Sequence, residues 1–359
     1  MQTNIISGFE ERVQAFVKLG ECFNDYVLRD TKTEEFATAD NIWSEKLNSC
    51  VIQAESRNGW FTPNNMNYAL KGWAELLQET RLKSWLQGYP LKQVEPKTVA
   101  IITAGNIPLV GFHDVLCTLI TGHKALIKCS SNDKILLPFI AEFLQVQNKK
   151  FLDQIEFSDG ILQDFDAVIA TGSNNTGRYF EYYFGKKPHI IRRNRNSVAV
   201  LTGEESAEEL RLLGEDVFRY FGLGCRSVSK LFIPRGYDFD KLFKAFYSYK
   251  DLLEHFKFTN NYDYNKAVYL MSKFDILDNG FVMLKEDENY ASPIATLFYE
   301  YYDSPKELER RLNQDQEKIQ CVVAKDFCAD EVPFGQTQQP DLDDYADGVD
   351  TVEFLLRTH

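Results

Sequence analysis

Residues 98–129 read TVAIITAGNIPLVGFHDVLCTLITGHKALIKC. Two short apolar runs, TVAIIT (98–103) and KALIKC (124–129), flank a stretch of helical character that starts at Pro108. Proline suits a first helical turn, where its missing N–H has no partner to lose. An apolar run of this length, bounded by turn residues, is the pattern of a buried strand. The same alternation continues outward. LLPFIAEFLQVQ reads as a helix, DAVIATG (166–172) as a strand, a further helix begins near Asn175, and HIIR and SVAVL read as strands. Strands alternating with helices form a parallel sheet with crossovers, so the fold class is α/β.

Before this region, residues 1–95 carry helical spacing, as in FEERVQAFVKLGECFNDYV and MNYALKGWAELLQETRLKSWLQ, with breaks near Asp30–Thr38 and Gly59–Asn65. After Thr202 a mixed segment rich in Phe and Tyr runs to about Val332, and DTVEFLL reads as a final strand. The expected organisation is a helical segment plus nucleotide-binding domain over 1–198 and a catalytic domain over 199–332. Residues 333–359 are then expected to return to the first domain or pair with a neighbouring subunit.

Composition narrows the partners. The chain has 359 residues, enough for two cores, and its 44% hydrophobic and 26% charged residues are ordinary for a globular protein. A net charge of −13 argues against nucleic acid and anionic membrane, since both select a basic surface. No membrane span is expected, and the start, MQTNIISGFEERVQ, lacks the apolar core of a signal peptide. Seven scattered cysteines indicate thiols in a reducing compartment, so a cytoplasmic location is expected. With five histidines and no ligand spacing among them, no metal is expected.

The turns after the strands hold the candidate chemistry, because ligands of such sheets bind at the strands' carboxyl ends. DAVIA is followed by TGSNNTG, where Gly172, Ser173 and Gly177 open a helix and could face a pyrophosphate or simply form a tight turn. Lys128 ends the KALIKC strand ahead of Ser131, and Asn106 offers an amide as a helix cap or an oxyanion donor. Further on, FGLGCRSVS (221–229) sets Cys225 between Gly222, Gly224 and Arg226, which favours an exposed thiolate over a packed thiol. His113 and His123 and the aromatic-rich FKAFYSYKDLLEHFKF have plainer readings as structure and core.

Taken in order, AGNIP, KALIKCSS, ATGSNNTG and FGLGC resemble the aldehyde dehydrogenase superfamily, with Cys225 lying 53 positions after Gly172. GNIPLVGFHD, GHKALIKCSS, TGSNNTGRYF, GLGCRSVSKLFIP and DYADGVDT are similar to the LuxC-type acyl-CoA reductases of that superfamily. The likeness covers roughly residues 95–359. It implies an aldehyde dehydrogenase-like fold, a parallel-sheet nucleotide-binding domain plus an α/β catalytic domain. It also implies Cys225 as nucleophile, Asn106 as oxyanion donor, Lys128 at the adenosine ribose, and the Gly172–Gly177 turn at the pyrophosphate. The substrate implied is an acyl-CoA or acyl carrier protein thioester, reduced to a fatty aldehyde; a homo-oligomer is expected.

Two departures refine that expectation. The water-activating glutamate of hydrolytic relatives is missing, because Ile191, Arg192 and Arg193 stand around its position, and arginine is never a base. This disfavours an aldehyde oxidiser, while the intact Cys225, Asn106 and glycine turn disfavour an inactive nucleotide-binding scaffold. Asn289 stands where many relatives have a second ribose-binding glutamate. Arg192, Arg193 and Arg195 are candidates either for phosphate contacts or for a solvated strand edge. Relatives that prefer NAD carry an acid three residues beyond the strand lysine; Ser131 stands there instead, so NADPH is expected, with NADH accepted.

Overall fold

The computed structural model describes residues 2–29, 42–91 and 94–358; the expected break at Asp30–Thr38 lies outside them. The chain forms two compact units, one running to Arg193 and resuming at Asp341, the other spanning Asn194–Pro340.

Four helices open the first unit: α1 (Gln2–Arg29), α2 (Ile42–Arg57), α3 (Pro63–Leu76) and α4 (Glu79–Leu86). Val13, Phe16, Leu19 and Phe23 line one buried face of α1, the spacing of an amphipathic helix. Thr62 caps α3, its hydroxyl accepting from Asn65 N at 3.4 Å, with Pro63 in the first turn. A parallel sheet follows, built from β1 (Thr98–Ile102), β2 (Lys124–Lys128), β3 (Ile155–Phe157), β4 (Ala167–Thr171) and β5 (His189–Arg192). The strand order is β3-β2-β1-β4-β5. The crossovers carry α5 (Phe112–Ile120), α6 (Leu136–Gln147) and α7 (Asn174–Phe184). On β1, Val99 and Ile101 enter the large apolar cluster that includes α1 and α6, and Ala100 enters a second cluster with Phe165 and Val168. A strand buried on both faces has no need of alternating polarity, which is why these runs are uniformly apolar.

The helix expected from Pro108 begins at Phe112 instead. Leu109 has φ 58°, outside the right-handed helical region, so the turn after β1 must finish before the helix can start. Gly111 is fitted tightly there, since a Cβ on it would lie 2.4 Å from Thr103 Cγ2.

The second unit holds β6 (Asn196–Val200), β7 (Val228–Pro234), β8 (Ile276–Asp278), β9 (Met283–Glu286), β10 (Thr296–Tyr302) and β11 (Ile319–Val323). Their order is β11-β6-β7-β10-β9-β8, parallel except for β8 against β9. Helices α8 (Ala207–Phe218), α9 (Phe239–Phe246), α10 (Phe256–Met271) and α11 (Pro305–Gln314) belong to this unit. A boundary at 198 would cut through β6, which is hydrogen-bonded to both β7 and β11; the division falls just ahead of that strand.

The final strand expected at DTVEFLL is a helix, α12 (Thr351–Leu356). The Asp350 carboxylate accepts from Glu353 N at 2.8 Å as an N-cap, and Thr351, Val352 and Leu355 bury one helical face. That spacing is helical rather than two-residue, and the cap decides between them. Among the described residues no helix is long and apolar enough to cross a membrane.

Candidate active site

In the first unit, β1 connects to β2 on one side, and the chain later returns to place β4 on the other. The crevice outside the carboxyl ends of β1 and β4 is therefore a topological switch point, where open α/β sheets bind ligands. The turn after β1 is fixed from two directions. Ser130 N donates to Thr103 Oγ1 at 3.3 Å, and the buried Asn58 Nδ2 donates to the Gly105 carbonyl at 3.2 Å. A Cβ on Gly105 would meet Ser130 Oγ at 2.7 Å, so the turns after β1 and β2 pack closely through a bare backbone. These contacts bring Asn106, half-buried, and Ser131, exposed, onto neighbouring turns of one sheet edge. Lys128 Nζ donates to the Gly160 carbonyl at 2.6 Å, and Lys134 nearby in sequence pairs with Asp159.

Beyond β4 the backbone N–H of Gly172 donates to the Arg192 carbonyl at 3.2 Å, extending the ladder. Ser173 caps α7, accepting from Thr176 N at 3.2 Å. A Cβ on Gly172 would sit 3.0 Å from Phe180 and Thr176, and one on Gly177 would sit 3.1 Å from Arg193 Cγ. A side chain at either place would press on these neighbours, and its absence leaves bare backbone on the approach to a helix N-terminus. Such a turn fits a pyrophosphate.

Neither reading of Arg192 as phosphate ligand or solvated edge holds. Its side chain is 7% exposed and pairs with Asp114 of α5, itself 5% exposed, while Nη2 donates to Thr351 Oγ1 of α12 at 3.0 Å. Burial works to lower its pKa, but the Asp114 carboxylate outweighs that and raises it, so the guanidinium stays charged. Arg193 is exposed and pairs with Glu181 on α7. Arg195, in the second unit, donates to the Gln316 carbonyl at 3.2 Å, beside β11. His113 and His123 are likewise held in the fold, His113 Nε2 lying 3.0 Å from the Leu342 carbonyl and His123 Nδ1 accepting from Lys97 N at 3.1 Å.

In the second unit, Cys225 precedes β7, and of the seven cysteines it alone is exposed. The chain reaches it through three successive left-handed residues, Tyr220 (φ 55°), Phe221 (φ 58°) and Gly222 (φ 74°). For a non-glycine residue that conformation costs roughly 1–2 kcal/mol, so two of these positions are strained. Burial holds them in place: Tyr220 and Phe221 are each 7% exposed, and the Phe221 ring lies 4.4 Å from the His255 ring. Beyond the strained turn, Ser227 N donates to the Gly224 carbonyl at 3.0 Å, and Ser197 Oγ on β6 donates to the Cys225 carbonyl at 3.0 Å. Arg226 turns its Nε onto the Thr337 carbonyl, and Gln338 Nε2 donates to Ser227 Oγ at 3.3 Å. The cysteine loop is therefore tied to the loop PFGQTQ, residues 333–338. An exposed sulfur on an immobilised turn with a fixed cation next in sequence is the setting of a reactive thiol.

The sequence profile of the LuxC acyl-CoA reductase family matches residues 13–241, which include every strand-end turn named above and Cys225. The chain belongs to the LuxC acyl-CoA reductase family. Its substrate class is accordingly an acyl thioester, and it is an oxidoreductase. No curated protein matches it in sequence.

Among solved structures, this LuxC-family chain is similar to indole-3-acetaldehyde dehydrogenase in complex with NAD+, at 12% identity and a TM-score of 0.62, covering 96% of this chain and 88% of that one. It is similar to aldehyde dehydrogenase 21 from Physcomitrella patens, in complex with the reaction product succinate, at 13% identity and a TM-score of 0.60, covering 87% and 76%. A mutant of aldehyde dehydrogenase C from Pseudomonas syringae, with NAD+ and octanal, matches at 12% identity and a TM-score of 0.58, covering 90% and 77%. At these identities the likeness carries the fold, which is aldehyde dehydrogenase-like.

Several residues that hold the candidate turns within each unit carry little or no sequence signal. Asp216 was the most legible of them: Leu210, Leu213 and Val217 mark the buried face of α8, and a carboxylate falls among them. Ser197, Thr337 and Asn58 carry no such signal, because a neutral hydrogen-bonding side chain looks alike in a turn, a strand or a tether. Glu205 accepts from the Thr202 hydroxyl at 2.8 Å and from Gly203 N at 3.0 Å. Asn289 is exposed and donates through Nδ2 to Asp287 Oδ1 at 2.8 Å, in the turn after β9.

Proposed function

We propose that this protein reduces an acyl-CoA, or the same acyl group on an acyl carrier protein, to an aldehyde through an acyl-enzyme on Cys225, with NADPH preferred and NADH accepted. The observation that carries the reading is the exposed Cys225 just beyond a buried, left-handed turn in a LuxC-family chain. In the first step the Cys225 thiolate attacks the thioester carbonyl. A C–S bond to the enzyme forms, the C–S bond to the carrier breaks, and the carrier leaves as a thiolate. One thioester replaces another, so the step is near thermal balance and needs no strong base.

A nicotinamide cofactor, when bound, would supply a hydride to the acyl carbon. Lys128, Ser131, Gly172, Ser173 and Gly177 are the residues that would hold it, and the side-chain-free turn at Gly172 supports that role. The tetrahedral oxygen formed on Cys225 carries negative charge and needs donors set in advance. The Cys225 backbone N–H and the Asn106 amide fill that role by resemblance. Collapse then releases the aldehyde and returns the sulfur as thiolate. An apolar acyl group accords with the family and with a fold shared by a structure that holds octanal.

Incubation with acyl-CoA in the absence of NADPH, followed by peptide mass mapping, tests this directly. Cys225 should carry the acyl group, and Cys225→Ser should fold and bind cofactor yet neither acylate nor turn over. Acylation of another cysteine with Cys225 unmodified, or turnover by Cys225→Ser, overturns the assignment.

A further inference from the structure

Asp216 lies near the end of α8, four residues before the strained approach to Cys225 begins at Tyr220, and it is fully buried. Its carboxylate accepts two backbone N–H groups, from Gly335 at 2.6 Å and from Thr337 at 2.9 Å. Gly335 has φ 82°, so the backbone there bends in a way that presents both donors to one side chain. The carbonyl of Thr337, in turn, accepts Arg226 Nε, and Arg226 adjoins Cys225. Thr337 and Ser227 are buried as well, at 0% and 2% exposure, so little slack remains along the chain from carboxylate to guanidinium.

The residue type matters. Two N–H donors converge on one side chain, and only a carboxylate offers two acceptor oxygens without a donor of its own. An asparagine would satisfy one N–H and set its own NH2 against the other. Burial pushes Asp216 up to about 6 despite these donors, so holding its charge at neutral pH works against stability.

We propose that Asp216 is a positioning residue for the nucleophile: by fixing the 335–337 backbone it holds the carbonyl on which Arg226 rests, and so fixes the turn on which Arg226 follows Cys225. The role rests on Cys225 being the nucleophile, but it is measurable without turnover. The rate of alkylation of Cys225 by iodoacetamide, followed against pH by peptide mass mapping, reports the thiolate directly.

In Asp216→Asn the alkylation profile should move to higher pH, because Arg226, the residue after Cys225, is no longer held in place. Its kcat should fall about ten- to a hundredfold, the scale expected of a small misplacement, with a lesser change in the KM for acyl-CoA. Arg226→Gln should shift the profile the same way, and the double variant should be no worse than the more impaired single one, as two links of one chain require. Gln338→Ala loosens the same loop from its less buried side and should shift the profile in the same direction, which serves even if Asp216→Asn does not fold. An unchanged profile in these variants, or additive effects in the double variant, overturns the proposal. Turnover surviving in Cys225→Ser would instead refute the nucleophile itself and leave the alkylation result standing.

Discussion

Replacing Arg192 by methionine separates a structural cation from a phosphate ligand. The side chain removed is nearly as long, so the packing loss is small, and what remains is an Asp114 carboxylate 5% exposed with its cation gone. Breaking a buried ion pair from one side destabilises by about 3–5 kcal/mol, since the surviving charge is left desolvated and unpaired. For a unit of this size about 1 kcal/mol corresponds to roughly 2–4 °C in Tm, so a fall of about 6–20 °C is expected. The Thr351 hydroxyl also loses a donor, which should loosen α12 first. Calorimetry of the parent, Arg192→Met and Arg192→Met/Asp114→Leu supplies the test. The double variant should recover much of the loss, because apolar replacement of both partners removes the stranded charge. Steady-state kinetics on whatever remains folded should give the parental KM for NADPH and acyl-CoA. If Arg192→Met melts with the parent while either KM rises, the buried-pair reasoning is refuted and the phosphate reading returns.

Two other expectations concern the substrates. Ser131 is exposed, so Ser131→Glu should fold normally and raise the KM for NADPH about tenfold or more over its effect on NADH, since like charges about 4 Å apart near a surface repel by about 4 kcal/mol; equal losses would move Ser131 away from the ribose. In the reverse direction, aldehyde with NADP+ should give at most one equivalent of NADPH per site until CoA is added, because water attack on the acyl-enzyme lacks a general base worth roughly 10²–10⁴-fold. Steady carboxylate formation without CoA would show that a base exists after all.

Much of the first sheet was legible in the sequence because its strands are buried on both faces. TVAII, KALIK and AVIAT can only be strands once helices separate them, and their carboxyl ends then locate the turns holding Asn106, Ser131 and Gly172. Cys225 was legible for a different reason, since two glycines and an arginine around a cysteine are local chemistry. The start of α5 and the end of the chain were misread where local signals compete. Pro108 suits a helix start, but Leu109 turns left-handed against it. DTVEFLL has strand-like composition, but the Asp350 cap and burial of Val352 and Leu355 make it helical.

The sequence by itself determined the strand–helix alternation, the bare turns and the exposed thiol, because each depends on residues close together along the chain. Only the tertiary structure decided the fate of the charges. Arg192 finds Asp114 across 78 residues, and Asp216 reaches Thr337 across 121. A charged side chain is read locally as a surface or ligand group, since burial without a partner is prohibitive. Whether a partner exists is set by the packing of distant elements, and there the linear sequence carries no geometry.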